Sequence, residues 1–387
     1  MAVAGTTETP SVAEEKSAFR WLRTGDEALE SMLEAIERAR ASIRLETYIY
    51  RVGATGERFR EALSRACERG VKVQVLVDAL GSFSLPDTFW EPLRAAGAQC
   101  LWFNPIHLGR WSYRDHRKVL VCDDTVAFIG GFNIADEYHG DGVTHGWRDL
   151  GLEIRESKLV GALAESFDAY FTRASYKHKR LQRFRKASHE VSRGDNWQLL
   201  LTGPGRYHGA MQRSLKKDLL AAKSVKIICA YFLPTWRLRK VLTRVCKRGG
   251  RVQLILAGKS DVALSQLASR RLYSEFLRSG IEIYEYEPQI LHGKLFIMDD
   301  VVYAGSANLD VRSLKINYEL LVRVADREVA DRAREIFEDD LKYCRQIHRL
   351  TWRKSRTFWN KLRERWAYFF LARVDPFVAR QQLRLLR

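Results

Sequence analysis

The stretch FREALSRACERGVKVQVLVD, residues 59–78, decides the fold because the chain repeats it as LRKVLTRVCKRGGRVQLILA at residues 238–257. The two copies align without gaps and share Arg, Leu, Arg, Cys, Arg, Gly, Val and Gln at matched positions. Each has the pattern of a helix that ends at a glycine and is followed by a buried strand. The strand-like segments SIRLETYIY and SVKIICAYF precede the copies, so each half of the chain predicts a strand–helix–strand unit of an α/β fold.

The repeat period sets the domain organisation. A period of about 180 residues is too long for a solenoid and indicates a duplicated domain. The predicted parts are a disordered N-terminal tail (1–18), a first domain (19–172), a basic linker (173–196), a second domain (197–342) and a basic amphipathic C-terminal tail (343–387).

Composition and charge narrow the class of protein. The 387 residues are 46% hydrophobic and 11% aromatic, which is typical of a globular chain that buries one or two cores. The formal net charge of +18 predicts an anionic partner, with phosphate in lipid or nucleic acid as the obvious class. Charge alone does not choose between the two.

Cysteines and apolar runs bear on the compartment. The six cysteines are scattered, without CxxC pairs or zinc spacing, which favours free thiols in a reducing cytosol. The segment MAVAGTTETPSVAEEKS has neither the basic nor the apolar region of a signal peptide. No apolar run approaches the ~20 residues of a membrane-spanning helix. We therefore expect neither a signal peptide nor a spanning helix.

A second repeated pattern carries the chemistry. DHRKVLVCDDTVAFIGGFN, residues 115–133, and LHGKLFIMDDVVYAGSAN, residues 291–308, both contain HxKxxxxD followed by a small-residue pair and Asn. Side chains alternate along a strand, so the His and Lys of each motif share one face. A single HxK is a weak signal, but two full copies at repeat-equivalent places are specific. The motif residues are His116, Lys118, Asp123 and Asn133 in the first half and His292, Lys294, Asp299 and Asn308 in the second.

This doubled HxKxxxxD with GGxN or GSxN resembles the phospholipase D superfamily. The segments GWRDLGLEI, AYFLP and GSANLDVRSLKINYE look like bacterial cardiolipin synthases of the shorter kind, without N-terminal membrane helices. The resemblance implies two phospholipase D-like domains, each a mixed sheet flanked by helices, packed with pseudo-twofold symmetry. It also implies catalysis without a metal ion or other cofactor. One departure is that Asp to Asn spans ten residues in the first motif and nine in the second, which predicts a second hairpin tighter by one residue.

The residue types suit exchange at a phosphodiester. A neutral imidazole can attack the anionic phosphorus, while a second imidazole protonates the leaving alkoxide and later deprotonates the incoming alcohol or water. Such a two-step scheme needs a histidine on each side of one phosphate. On the resemblance that the first motif usually attacks, we expect His116 to be the nucleophile and His292 the general acid and base.

The remaining polar residues have predicted supporting roles. Lys118, Lys294, Asn133 and Asn308 are the donors suited to hold charge on the non-bridging oxygens. Asp149 in GWRDL and Glu319 in NYEL are expected to orient the imidazoles, since the resemblance places such carboxylates there, but the pairing stays open. Asp123 and Asp299 lie at an odd spacing from the histidines and are expected to hold hairpin backbone. Tyr48, Tyr50, Tyr231 and Phe232 end the repeat strands and are compatible with a place in the cleft or in the core.

The C-terminal segment predicts a membrane contact. Residues 345–387 contain twelve Lys or Arg against Glu364 and Asp375. Aromatic and apolar residues recur at three- and four-residue steps among these charges, which is typical of a helix lying in a membrane interface. The members of this stripe are Trp352, Trp359, Leu362, Trp366, Phe369 and Phe370. The alternative is a helix docked on the second domain; a nucleic-acid-binding arm fits the aromatic residues less well.

The preferred function is a phosphatidyltransferase, peripheral on the cytoplasmic face of the membrane. It would make cardiolipin or a related lipid from phosphatidylglycerol and a second lipid alcohol. A hydrolytic phospholipase D and a phosphodiesterase or nuclease acting on nucleic acid remain alternatives. The residue types do not distinguish alcohol from water as acceptor, and they leave head-group preference and oligomeric state open.

Overall fold

In the part of the chain that the computed structural model describes, residues 17–105, 112–174, 191–203 and 209–379, two mixed β-sheets form the frame. The first sheet has seven strands in the order β1-β7-β6-β5-β2-β3-β4. Strands β2, β3 and β4 are parallel, and the other neighbours are antiparallel. Its elements are β1 Phe19–Leu22, α1 Gly25–Arg38, β2 Ser42–Thr47, α2 Ala54–Glu68, β3 Lys72–Asp78, α3 Glu91–Ala95, β4 Gln99–Phe103, β5 Val119–Cys122, β6 Val126–Gly130, β7 Gly151–Ile154 and α4 Ser157–Ala174.

The second sheet repeats this arrangement with additions at its edges. Its order is β16-β12-β11-β10-β13-β14-β15-β9-β8, in which β10, β11 and β12 are parallel. In sheet order, the strands β15-β14-β13-β10-β11-β12 therefore correspond to β7-β6-β5-β2-β3-β4 of the first sheet. The elements are β8 Val191–Arg193, β9 Trp197–Thr202, α5 Ala210–Ala221, β10 Ser224–Cys229, α6 Trp236–Lys247, β11 Arg251–Ala257, α7 Ala263–Arg278, β12 Glu282–Tyr286, β13 Lys294–Met298, β14 Val301–Gly305, α8 Val311–Lys315, β15 Glu319–Ala325, α9 Arg327–Leu341, β16 Cys344–Ile347, α10 Arg349–Ser355 and α11 Phe358–Phe369.

The predicted strand–helix–strand units are β2-α2-β3 and β10-α6-β11. Gly70 and Gly249 follow the helices with φ of 84° and 83°, in the left-handed region that glycine adopts without steric cost. The strands that follow have near-continuous burial, as expected for parallel strands covered on both faces. The duplicated α/β fold predicted from the sequence is confirmed.

The two halves share one hydrophobic core where their sheets face each other. This core includes Val121 and Leu152 of the first sheet and Leu295 and Val322 of the second, all buried. A buried ion pair between Arg148 and Asp340, with Nε and Oδ1 2.8 Å apart, joins the halves beside it. The halves are therefore one packed body, and side chains from both can form a common site.

The C-terminal segment is partly built into the second half. Strand β16, in the part assigned to the tail, pairs with β12 at the sheet edge, and α11 lies against α7. Ala367 on α11 is fully buried in the core of the second half, while Trp359 and Trp366 are 69% and 65% exposed. The helix is thus docked on the second half by one face, as the alternative prediction expected, and presents aromatic side chains on another.

Other predicted segments fall mainly outside the described residues. These are residues 1–16 of the N-terminal tail, 175–190 of the basic linker and 380–387 at the C-terminus. At the end of the linker, β8 extends the second sheet beside β9. Among the helices of the described ranges, none is long and apolar enough to cross a bilayer.

Candidate active site

The two HxKxxxxD motifs occupy equivalent hairpins, β5–β6 and β13–β14. In each motif the His precedes the first strand by two or three residues, and the Asn follows the second strand by three. The first hairpin turns through the three residues 123–125 and the second through two, 299–300. The one-residue difference in spacing is therefore absorbed at the turn, and Asn308 keeps the place that Asn133 has in the first half.

The motif aspartates hold the backbone at these turns. Asp123 accepts hydrogen bonds from the N–H groups of Ala41 and Ser42, at 2.7 and 2.9 Å. Asp299 accepts equivalent bonds from Lys223 and Ser224, at 3.0 and 2.8 Å. Both aspartates have left-handed φ, 52° and 49°. Each carboxylate ties its hairpin to the start of the neighbouring central strand, β2 or β10, and contacts neither histidine.

Backbone hydrogen bonds between the halves place each histidine beside a carboxylate of the other half. The His116 N–H donates to the Tyr318 carbonyl at 2.9 Å, immediately before Glu319. The His292 N–H donates to the Arg148 carbonyl at 2.7 Å, immediately before Asp149. Short parallel bridges at Asp115↔Tyr318 and Arg148↔Leu291 complete the two contacts. The arrangement is symmetric, because each motif binds the backbone next to the carboxylate residue of the other half.

The side chains form two His–carboxylate pairs across this interface. His116 Nδ1 is 3.0 Å from Glu319 Oε2, and His292 Nδ1 is 2.5 Å from Asp149 Oδ2. All four side chains are buried or nearly so. A carboxylate on Nδ1 fixes the ring orientation and leaves Nε2 as the reactive nitrogen. The pairing that the sequence left open is therefore reciprocal between the halves.

The small-residue pair of each motif makes room for these carboxylates. A Cβ at Gly131 would stand 2.0 Å from Asp149 Oδ1, so that position admits no side chain without displacing the carboxylate. In the second half, the Ser306 hydroxyl donates to Glu319 Oε2 at 2.6 Å. Gly131 thus leaves space for the carboxylate of Asp149, and Ser306 at the equivalent position hydrogen-bonds the carboxylate of Glu319.

Both histidines face a cavity of about 420 Å³ between the halves. The Tyr48 ring lies 4.9 Å from His116, and the Tyr138, Trp147 and Tyr231 rings lie 5.4 to 6.2 Å from His292, measured between centroids. A larger groove of 820 Å³ runs between β1 and α9, but its lining includes neither histidine. The smaller cavity is the candidate active site because the histidines of both motifs line it.

Burial favours the neutral form of both imidazoles. Burial lowers the pKa of His116 well below its usual value, and the nearby charges of Lys118 and Lys294 lower it further. Burial and Lys294 also lower the pKa of His292, but Asp149 opposes the shift. Burial raises the pKa of Glu319 to about 7. His292 is therefore the imidazole with the stronger anionic support for a proton.

Each lysine lies beside the histidine of its own motif. Lys118 Nζ donates to the His116 carbonyl at 2.8 Å, and Lys294 Nζ donates to the His292 carbonyl. Lys294 Nζ is also 2.9 Å from His292 Nδ1. Burial lowers the pKa of Lys118 to about 7, and the charge of Lys294 adds to this shift. Neither ammonium lies on the cavity lining, so a direct contact with phosphate stays a prediction.

The two asparagines are fixed at the cavity wall. Asn133 Oδ1 accepts from the Ile49 N–H at 2.9 Å, and its amide group donates to the Tyr138 hydroxyl at 2.6 Å. Asn308 Oδ1 accepts from the Tyr231 N–H at 3.3 Å. Each amide oxygen thus accepts from the backbone N–H of the second residue after the central strand of its half, β2 or β10.

Sequence reasoning resolved only part of the cavity wall. Tyr48 and Tyr231 line it, whereas Tyr50 and Phe232 are fully buried in the cores. The sequence analysis did not single out Tyr138, Trp147, Arg312, Asn317 or Asp375. Trp147 lies in the segment GWRDLGLEI and Arg312 in GSANLDVRSLKINYE. Because both segments resemble cardiolipin synthases, this resemblance could have indicated the two residues. Asp375 had no signal, since it comes from the C-terminal segment.

One group of possible metal ligands lies elsewhere. Asp26, His139 and His145 bring three ligand atoms within 4.8 Å of one another at the surface. None of the three lines the cavity.

Two duplicated mixed sheets that each present one HxK histidine to a shared cavity define a phospholipase D-like protein. The family model described as "Cardiolipin synthase, PLD-like domain" matches residues 32–171 and 215–341. The chain therefore belongs to the cardiolipin synthase family of phospholipase D-like proteins, and it is a phosphatidyltransferase of that type.

Individual relatives agree with this assignment. The chain is 30% identical to cardiolipin synthase 1 of Bacillus anthracis over 363 residues, 87% of this chain and 68% of that protein. It is 31% identical to cardiolipin synthase B of Salmonella typhi over 376 residues, 94% of this chain and 90% of that protein. The crystal structure of phosphatidylserine synthase from Haemophilus influenzae Rd KW20 superposes with a TM-score of 0.71 at 14% identity, covering 95% and 96% of the two chains, which shows the shared fold.

Proposed function

We propose that the protein transfers a phosphatidyl group from phosphatidylglycerol to a hydroxyl of a second lipid, through a phosphohistidine. The observation that carries this proposal is the pair of buried imidazoles that face one cavity, each backed by a carboxylate of the opposite half. A hydrolytic phospholipase D would use the same groups with water as acceptor.

In the first step, His116 Nε2 attacks the phosphorus of the donor lipid. A P–N bond forms while the P–O bond to the glycerol head group breaks. His292, holding a proton on Nε2, gives it to the departing alkoxide, which leaves as glycerol. Nearby positive charge and amide donors from both motifs would stabilise the charge on the non-bridging oxygens.

The environments of the two histidines support this division of roles. An attacking imidazole must be neutral, and burial beside two lysines lowers the pKa of His116 well below its usual value. A general acid must hold a proton, and Asp149, 2.5 Å away, opposes the lowering of the pKa of His292. Since the fold is nearly symmetric, this difference in surroundings supports His116 as the nucleophile and His292 as the acid.

In the second step, His292 removes the proton from the acceptor hydroxyl, whose oxygen attacks the phosphohistidine. The new P–O bond forms as the P–N bond breaks, and His116 is released. Each half supplies one histidine and the carboxylate for the other, so the predicted domains, 19–172 and 197–342, would act as a single catalytic unit.

The cavity wall favours a lipid over a nucleic acid. Among the described residues that line it, apolar side chains such as Phe83 and Leu371 lie beside three carboxylates and two arginines. These apolar side chains offer contacts to the acyl chains of a lipid, which a nucleic acid lacks.

A peripheral place on an anionic membrane would bring the lipid to this cavity. Exposed aromatic side chains on α11 and in the segment after it lie among basic residues, and that segment also supplies Leu371 to the cavity. If half a dozen of these charges reach the surface, they contribute about 6 kcal/mol at about 1 kcal/mol each. Basic and aromatic groups together are typical of an interfacial helix.

The test is purified protein with vesicles of labelled phosphatidylglycerol, scored for cardiolipin and phosphatidic acid beside a plasmid-nicking reaction. We expect cardiolipin from the unaltered protein and a loss of several orders of magnitude in His116→Ala. His145→Ala, an exposed histidine outside the cavity, is the matched control and should keep full activity. Phosphatidic acid as the sole lipid product would favour hydrolysis, and plasmid nicking would favour a nuclease.

A further inference from the structure

A second cationic group stands in the cavity wall apart from the histidine pairs. Arg312 lies on α8, four residues after Asn308, and lines the same cavity as His116 and His292. Its side chain is 30% exposed. Arg312 has no part in the two-step mechanism proposed above.

The contacts of Arg312 come from the C-terminal segment and from the first half. Its Nη1 is 2.5 Å from Asp375 Oδ1, and its Nη2 donates to the Ser112 carbonyl at 2.9 Å. The segment that carries Asp375 is held to the first half a turn later, where the Tyr113 hydroxyl donates to the Ala379 carbonyl. Arg312 therefore sits where both halves and the C-terminal segment meet.

The ion pair satisfies Asp375 only in part. Its Oδ2 is buried and has no hydrogen-bond partner among the described residues, although an arginine can bind both oxygens of a carboxylate. Asn317 also lines the cavity and is 8% exposed, and its Oδ1 has no hydrogen-bond partner in the part of the chain that the structure describes. Buried polar atoms in native proteins are nearly always paired, so two orphans at one wall indicate a place for a polar ligand.

The charge on that ligand follows from Arg312. A guanidinium fork matches the oxygens of a phosphate as well as those of a carboxylate, so the Asp375 carboxylate occupies the place of a phosphate oxygen. Among the described residues that line the cavity, the other arginine is Arg51, which is paired with Glu137 and 46% exposed. Arg312 is also paired, with Asp375, but at 30% exposure it is the more buried of the two arginines.

We propose that Arg312 is a second phosphate subsite, which binds the phosphodiester of the acceptor lipid after that group displaces Asp375. This inference rests on the proposed function, because joining two phospholipids brings two phosphates into one cavity. One phosphate lies between the histidines, and the other needs a cation of its own. Asn317 Oδ1 offers an acceptor for a hydroxyl of the same head group.

The test compares two acceptors in one reaction. Vesicles of labelled phosphatidylglycerol with added butanol give cardiolipin, whose acceptor carries a phosphate, and phosphatidylbutanol, whose acceptor does not. Arg312→Gln should lower the ratio of cardiolipin to phosphatidylbutanol at least tenfold, the order expected for one charged hydrogen-bonded contact. Asp375→Asn should raise the ratio several-fold, because the competing charge is gone while the side-chain shape remains.

The opposite signs make the proposal falsifiable. Both substitutions break the same ion pair. If that pair merely anchors the C-terminal segment, the ratio should change in the same direction in both variants or not change in either. Either result would overturn the subsite. Phosphatidylbutanol from each variant reports that the protein is folded. If the unaltered protein makes phosphatidylbutanol and no cardiolipin, the proposed function fails instead.

Discussion

Removing the charge of Asp149 should slow the reaction in a way that depends on the leaving group. Asp149→Asn keeps the side-chain shape but removes the anion 2.5 Å from His292 Nδ1, in a fully buried position. A hydrogen bond to a charged group contributes about 1.5–3 kcal/mol, which corresponds to roughly 10- to 150-fold in rate. The loss should appear where His292 donates a proton.

The assay is the burst of the first turnover with two donors. Glycerol is a poor leaving group and needs the proton, so phosphatidylglycerol should show the full loss. p-Nitrophenolate leaves without protonation, so the burst from a p-nitrophenyl phosphodiester should fall less than threefold, below the range expected for a charged contact. Glu319→Gln, the matched variant behind His116, should slow both bursts equally. Equal losses in Asp149→Asn, or leaving-group dependence in Glu319→Gln instead, would refute the assigned roles.

Three further perturbations have defined outcomes. The unfolded chain keeps the Lys118 proton up to about pH 10.5, whereas the folded protein keeps it only to about pH 7. The free energy of unfolding should therefore rise as the pH increases between these values, and it should rise less steeply in Lys118→Met. Urea titration at several pH values measures this. Asp123→Ala should lower the free energy of unfolding by about 1 kcal/mol. Asp123→Asn should lower it by less, since the Asn side-chain oxygen can still accept from the Ala41 and Ser42 N–H groups and Asn adopts a left-handed φ more readily than Ala. Trp359→Ala combined with Trp366→Ala should weaken sedimentation with anionic vesicles without changing the free energy of unfolding. Trp236→Ala, at another exposed tryptophan, should leave both vesicle binding and stability unchanged.

The sequence determined the repeated elements because their signals are local. The glycine-terminated helices, the buried parallel strands and the tighter second hairpin all follow from residues within 20 positions of one another. The doubled motif likewise identified His116 and His292. These predictions agree with the structure because period, turn length and glycine conformation are properties of short segments.

The cross-pairing needed information that no short segment holds. His116 and Glu319 are 203 residues apart and meet only because Asp115 bridges Tyr318 at the packed interface. In the same way, the helical period of the C-terminal segment predicted one aromatic stripe, but it did not predict the docking of Ala367 or the packing of Trp352 against the core of the second half. Tertiary packing decides both, as it decides that Tyr48 lines the cavity and Tyr50 does not.

The most direct test of the account is to locate the covalent intermediate. A single-turnover reaction with phosphatidylglycerol labelled in its phosphate, quenched in base and digested, should place the label on the peptide that contains His116. The label should be stable in base and lost in acid, as expected for a phosphoramidate. Label on the His292 peptide would reverse the roles of the two halves. Cardiolipin formation with no labelled peptide at any quench time would contradict the phosphohistidine mechanism itself.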